Sequence, residues 1–351
     1  MNYNSSKVIT SLALALMSTF VFAQNVTLPR PSQYAEVTQQ VGISHVTIKY
    51  HSPAVNNRQI WGGLIPYGAM WRAGANENTT ITFSHDAELE EQPIAAGTYG
   101  LFMFIKDKEN IRIILSKYAK SWGTNYPAEQ DAVLIADVST NKIPSQDWLS
   151  YDFKDRSGDD VTAVLRWADL EVPFNISFDV DDIVIENARA ELKGPVGFTW
   201  RGYMQAANYC LQNDFNLEEA MTWIDQSISM SSGFSNLQVK AGLLAKNGEV
   251  EEAKKVMDQA LPTANPFQLN QYGYQLLAVG DTKKAIEVFS MNVKKNASHQ
   301  FIWGFTDSLG EAYLKDGNKK LALKYYKEAR KVAPENQYAY LDGVINGIEG
   351  K

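Results

Sequence analysis

The chain has 351 residues, 45% of them hydrophobic and 21% charged, and its formal net charge is −7. That length supports two domains of ordinary size, each with its own core, and that composition excludes a disordered chain. Residues 24–197 hold 15 Lys+Arg against 23 Asp+Glu, net −8, while 198–351 hold 17 of each, net 0, so neither half carries the basic surface that nucleic acid or an anionic membrane attracts.

Residues 1–23 read as a signal peptide. Lys7 supplies a positive start, Val8 to Phe22 is an uncharged apolar run, and Val21-Phe22-Ala23 precedes a cut before Gln24. The run is about 15 residues, short of the ~20 that a membrane span needs. The expectation is a periplasmic or secreted protein with no membrane span after cleavage following Ala23. Cys210 is the one cysteine, so no internal disulfide can form, and its helical setting suggests a small buried hydrophobe.

Residues 24–178 read as a first domain. Leu28 to Gln40 is a polar lead-in with Pro29 and Pro31. In Val41 to His51, Val46, Ile48 and Tyr50 alternate with His45, Thr47, Lys49 and His51, the pattern of a half-buried strand. Then comes Arg58 to Thr80, broken by Gly62, Gly63, Pro66, Gly68 and Gly74, which forbid a long helix or strand. Among these stand Trp61, Tyr67 and Trp71. So aromatic a loop is costly to order unless its rings are buried, and the expectation is that it packs onto a sheet and shapes any pocket there. Thr79 to Leu89 alternates again. Further strands are expected at 98–106, 111–118, 132–138, 148–154 and 161–178, with Asp107 to Asn110 as a hairpin turn. Short strands between regular turn signals, without helical period, predict an all-β sandwich or a partly closed barrel.

The stretch HSPAVNNRQIWGGLIPYGAMWRAGANENTTITF, then AAGTYGLFMF and RWADLEVPF, resembles a bacterial exported family catalogued as domain of unknown function 2911. The likeness covers about 29–178 and implies fold and compartment, with no established activity. His51-Ser52-Pro53 stands where that family more often reads Ser-Arg-Pro.

From residue 179 the pattern turns helical. Residues 179–197 read as a linker helix ended by Gly194-Pro195, and 198–351 as repeats. Ala220, Ala253, Ala285 and Ala322 recur at intervals of 33, 32 and 37 residues, each followed four residues later by Ile224, Met257, Phe289 or Tyr326. Nine residues before each stands Leu211, Leu244, Leu276 or Tyr313, and a turn lies between: Asn213-Asp214, Asn247-Gly248, Gly280-Asp281 or Asp316-Gly317. The unit from Trp303 to Asn336 resembles the tetratricopeptide repeat at its key positions. The expectation is an all-α solenoid of four helix pairs with a concave groove, closed by a short helix over 338–348.

Two places can bind. In the loop, Arg58 and Arg72 can present planar forks to a carboxylate or sugar, Trp61, Trp71 and Tyr99 can offer stacking faces, and Asn76 with Glu77 can fix orientation. The competing expectation is that Arg72 pairs with Glu77 and both tryptophans plug the end of the sandwich. In the repeats, helical spacing puts Tyr209, Gln212, Asn270, Tyr274, Asp307 and Glu311 on the groove, which suits an extended or basic peptide or protein partner, unless helix 179–192 fills it. His45 and His51 are about 20 Å apart along a strand, too far for one ion, and His85 reads as a core or rim histidine. No metal or cofactor is expected. Neither G-x-S-x-G nor H-E-x-x-H occurs, and no Lys-Ser/Thr follows Gly62-Gly63 to hold phosphate. The reading is a binding or scaffolding protein of the cell envelope; the alternatives are a hydrolase or a carbohydrate-binding module with its site at Arg58–Glu77.

Overall fold

The computed structural model describes residues 28–351 except 121 and 125; the expected signal peptide and its cleavage after Ala23 lie outside the described residues. The chain divides after Val180 into two compact units.

The first unit is built from eleven strands: β1 (Gln33–Val41), β2 (Ser44–Ser52), β3 (Ala69–Trp71), β4 (Thr80–Phe83), β5 (Ala87–Leu89), β6 (Gln92–Ile94), β7 (Gly97–Ile105), β8 (Asn110–Ser116), β9 (Ala132–Ser139), β10 (Asn141–Lys154) and β11 (Asp160–Ser177). They form two antiparallel sheets, β1-β2-β4-β7-β8-β9 with β3 attached to β7, and β10-β11-β5-β6. No strand is shared between the sheets, so the sandwich holds and the barrel alternative does not. Alternation explains the burial. On β2, Val46, Ile48 and Tyr50 are buried while His45 and Lys49 are exposed. Thr47 breaks the pattern because β1 covers it, with the Thr38 and Thr47 hydroxyls 2.9 Å apart. Ile81, Phe83, Leu101, Met103, Leu165 and Phe174 are fully or almost fully buried, each worth roughly 1.5–3 kcal/mol of transfer free energy. Tyr50 and Tyr151 meet edge to face across the sheets at 4.9 Å.

Two readings of the sequence are corrected here. The supposed lead-in contains β1, which pairs with β2 along its whole length. It is an edge strand whose side chains are mostly exposed or half-buried, so it lacks the apolar alternation that marks an inner strand. The run Thr79 to Leu89 is two strands. It leaves the first sheet after Phe83, and Ala87 to Leu89 joins the second through β11 and β6. Alternation continues across Ser84–Asp86 because both strands face one core, so periodicity alone cannot show the change of sheet.

The second unit has ten α-helices: α1 (Val180–Glu191), α2 (Trp200–Asn213), α3 (Leu217–Met230), α4 (Phe234–Lys246), α5 (Val250–Ala260), α6 (Pro266–Ala278), α7 (Thr282–Lys295), α8 (Ile302–Lys315), α9 (Lys319–Val332) and α10 (Tyr338–Glu349). They pair as α2/α3, α4/α5, α6/α7 and α8/α9 in a solenoid-like series. The recurring alanines and the large residues four positions later are all buried. Between the helices of each pair the chain passes through the left-handed conformation, at Asp214 and Asn216, Gly248, Gly280 and Gly317, the expected stop signal. Gly273 lets α6 and α7 approach, since a Cβ there would lie 2.5 Å from the Phe289 ring. Helix α1 covers the first pair. Its Ile185 is buried with Ala206, Cys210, Trp223 and Ile224, and Arg189 binds the Glu219 carboxylate at 2.6–3.1 Å. Cys210 is buried, and burial pushes its thiol up to about 11, as suits an inert hydrophobe. Among the described residues no helix is long and apolar enough to cross a membrane.

Candidate functional site

The Arg58–Thr80 loop spends its indoles on the core. Trp61 and Trp71 are 5% and 4% exposed, and Trp167 of β11 is 1% exposed. Trp71 stacks on Trp167 at 5.7 Å, and Trp61 stands edge-on to both at 5.8 and 6.2 Å. Their indole N–H groups donate inward: Trp61 to the Trp167 carbonyl, Trp71 to Gly74 and Trp167 to Asp147. A buried Trp must satisfy that one donor. The turn geometry is equally constrained. Gly62 has φ +75, and a Cβ there would meet the Tyr67 ring at 2.6 Å. Ala73 and Asn76 are also left-handed, at φ 55 each.

Beside this cluster opens a cavity of about 390 Å³, lined by Asn56, Arg58, Leu64, Trp71, Arg72 and Tyr126 among others. Arg58 Nε and Nη2 donate to the carbonyls of Val55 and Ala54 at 3.0 and 2.6 Å. Arg72 Nη1 donates to the Gly123 carbonyl at 2.8 Å, and its Nε is sealed from solvent without an acceptor. The expected Arg72–Glu77 pair does not form. Glu77 instead takes both oxygens to Arg30 at 2.6 and 2.7 Å and lies 3.3 Å from His51 Nε2. The Arg30 hydrogen bond holds the Glu77 carboxyl below its ordinary value, while burial pushes His51 down against the opposing pull of Glu77. Asn76 donates to the Ser32 carbonyl at 3.0 Å, anchoring the chain before β1. Tyr99 lies elsewhere, tilted against Phe83 with its hydroxyl donating to Ala95. The cavity therefore collects Arg58, Trp71 and Arg72; Trp61 backs it, and Asn76, Glu77 and Tyr99 do other work. His85, read as a core or rim residue, lies with Nδ1 3.0 Å from the hydroxyls of both Ser44 and Ser84.

The groove candidates divide in two. Tyr209 is committed to α1, its hydroxyl donating to Asp181 at 2.7 Å, and burial with that bond pushes it up to about 12. Gln212 is exposed on the same helix. The other four meet on α6 and α8, where Asn270 and Tyr274, and Asp307 and Glu311, each stand one helical turn apart. Helix α6 is fixed by a reciprocal cap, in which Asn265 accepts from the Phe267 and Gln268 N–H groups and Gln268 returns to Asn265 N–H, with Pro266 at the first turn. The Tyr274 hydroxyl lies 3.0 Å from Glu311 Oε2 and 3.1 Å from Ser308 Oγ. Ser308 donates its own proton to Gly304, and the single tyrosine proton therefore serves the carboxylate best. Asn270 Oδ1 and Asp307 Oδ1 are buried without a donor. Burial first, and Glu311 second, push Asp307 up to about 6, with a hydrogen bond from Tyr340 working against them. Glu311 also lies 3.6 Å from Lys315 Nζ through Oε1, so the acceptors left without a donor are Asn270 Oδ1 and Asp307 Oδ1.

Residues 32–176 match the family model described as Protein of unknown function (DUF2911). The DUF2911 match spans β1 to β10 and nearly all of β11. The helical part has likenesses among solved structures: pilF of Pseudomonas aeruginosa at 16% identity and TM-score 0.31, covering 44% of this chain and 69% of that one, and YrrB, a TPR protein, at 18% and 0.29, covering 42% and 77%. A TPR repeat-containing protein from Cytophaga hutchinsonii matches at 14% and 0.34, covering 48% and 70%. A comparison with curated proteins yields no match.

Four residues of these sites escaped the sequence. Trp167 of β11 completes the indole cluster, Tyr126 and Asn56 line the cavity, and Tyr340 reaches Asp307 from α10. Trp167 and Asn56 had a signal, their places in RWADLEVPF and HSPAVNNRQIW; Tyr126 and Tyr340 reach their sites through contacts distant in sequence.

Proposed function

We propose that this is an exported binding protein of the cell envelope whose helical repeats hold a basic, extended segment of a protein partner. The observation that carries this is the pair of buried acceptors without donors, Asn270 Oδ1 and Asp307 Oδ1, one turn from Tyr274 and Glu311. A buried acceptor without a donor costs roughly 1–3 kcal/mol. Peptide N–H groups and a Lys or Arg head reaching these acceptors recover that cost and neutralise Asp307 and Glu311 together. Helix α1 already engages Tyr209, so the partner is placed on α6 and α8 rather than on the first pair. The DUF2911 domain is the second binding place, through the cavity beside Arg58 and Arg72. The buried indoles favour this over a sugar platform, since Trp61 and Trp71 are only 5% and 4% exposed and present no open aromatic surface.

The test uses the full mature chain and an alternating Lys-Ala peptide, with a Glu-Ala peptide as control, followed by fluorescence anisotropy. Asp307→Asn and Glu311→Lys should each weaken the Lys peptide at least tenfold. Glu251→Lys, the same charge change at an exposed site on α5, should leave it within twofold. Binding should tighten from pH 5 to pH 7 as Asp307 ionises, and Asp307→Asn should remove most of that dependence. Equal binding of both peptides, or equal loss from Glu251→Lys, rules the groove out.

A further inference from the structure

The cavity of the DUF2911 domain has an uncommon charge balance. Two arginines line it, Arg58 and Arg72, and no aspartate or glutamate does. This happens within residues 24–197, where acids outnumber bases 23 to 15. Neither arginine has a carboxylate partner among the described residues. Each is held instead by backbone carbonyls, Arg58 by Ala54 and Val55 and Arg72 by Gly123. Two such bonds orient the Arg58 guanidinium and one tethers that of Arg72, and backbone carbonyls bring neither of them a formal countercharge. Arg58 Nη1 and Arg72 Nη2 make no hydrogen bond among the described residues. The sealed, unpartnered Arg72 Nε adds to the same deficit of acceptors. Two acids that the fold brings to this part of the domain are occupied elsewhere. Glu77 is bound by Arg30, and Asp147 accepts the Val55 N–H at 3.1 Å.

The rest of the wall is apolar. Leu64, Ile65, Trp71 and Trp167 contribute carbon surface, and the two indole N–H groups point to backbone carbonyls and away from any ligand. At about 390 Å³ the cavity is of small-molecule size. Resting on the reading of the DUF2911 domain as a binding domain, we infer that this cavity takes a small organic carboxylate with an apolar, ring-sized body. The carboxylate meets the free edges of Arg58 and Arg72, where a planar fork matches two oxygens. The body lies against the indoles and Leu64. A neutral ligand of the same shape leaves both charges unpaired, so selectivity comes from the acid group.

The experiment is calorimetric titration of the full mature chain with benzoate, phenylacetate and indole-3-acetate, with benzyl alcohol as the neutral counterpart. At least one acid should bind saturably with one site, and at least tenfold tighter than benzyl alcohol. Arg58→Ala, at an exposed position, should keep the fold and weaken that acid at least tenfold. Lys49→Ala, which removes an exposed charge on β2, should leave it unchanged. Arg72→Lys should also weaken it, and Arg58→Ala decides the matter if that variant does not fold. Benzyl alcohol binding as tightly as the acids overturns the carboxylate assignment and leaves the cavity as an apolar binding site. If none of the four ligands binds, the reading of the DUF2911 domain as a small-ligand domain falls with it. Acid binding that survives Arg58→Ala places the acid elsewhere and overturns the inference.

Discussion

The cavity of the β unit and the α6/α8 face of the helical unit are opposites built by the same device. Each holds polar side chains by local bonds and leaves the complementary partner out. In the cavity the missing partner is an acceptor for Arg58 and Arg72; in the groove it is a donor for Asn270 and Asp307. The supports differ. The arginines are held by backbone carbonyls of two separate loops, at Ala54 and Val55 and at the left-handed Gly123. The acceptors stand on helices whose spacing brings two pairs side by side. A loop can place a side chain where no regular element would, but only by burying enough of itself to become rigid, and here three indoles do that. A helix surface needs no such anchor, so its site can be open and more variable in what it holds. The comparison teaches that the aromatic residues, the most visible feature of the sequence, are the support, and that the residues they support hold the unpaired polar groups.

Substitutions can break that comparison, beginning with the indoles. Trp71→Ala removes the ring stacked on Trp167 and should cost about 3–5 kcal/mol, enough to unfold a marginal domain. Urea titration of the β unit's near-ultraviolet signal reads this. A loss below about 1 kcal/mol would show that the indoles support nothing. Next comes the helical unit, where Gly273→Ala puts a Cβ 2.5 Å from the Phe289 ring. Overpacking of this kind should cost about 1–3 kcal/mol, seen as a lower melting temperature in the helical circular dichroism. An unchanged melt would mean that Phe289 moves aside freely.

Asp307 gives a smaller effect that depends on pH. Its carboxyl is raised from an ordinary 3.8 to about 6, so between those values the folded chain binds more protons than the unfolded one. Stability therefore falls as pH rises from about 4 to 6, and levels off above. Asp307→Asn should remove that part of the slope and be more stable than the parent above pH 6. The measurement is the difference in melting temperature between the two at pH 4, 5, 6 and 7. A difference that does not grow with pH would show that the carboxyl is not desolvated. Arg58→Ala should have the smallest effect on folding, within about ±0.5 kcal/mol, as for an exposed side chain. A cost near that of Trp71→Ala would make Arg58 part of the support and dissolve the distinction between scaffold and site.

Much of this protein was legible without coordinates. The recurring alanines and their turns marked the helix pairs, because packing one helix on the next repeats the same contacts at each interval. Alternation marked the inner strands, because one face of each meets the core. The glycines and indoles of 58–80 marked a rigid loop, because nothing else makes such a loop affordable. Tertiary structure alone decided the rest. Edge strand β1 has no buried face to advertise, and β4 and β5 face one core across a change of sheet, so neither leaves a trace in periodicity. Glu77 stands five residues from Arg72, yet it binds Arg30 and His51, because a left-handed Asn76 turns the chain before it. Asn270 and Asp307 are 37 residues apart, and their shared want of donors comes from burial between neighbouring helices. A residue's type is local information, whereas its unpaired bonds depend on everything packed around it.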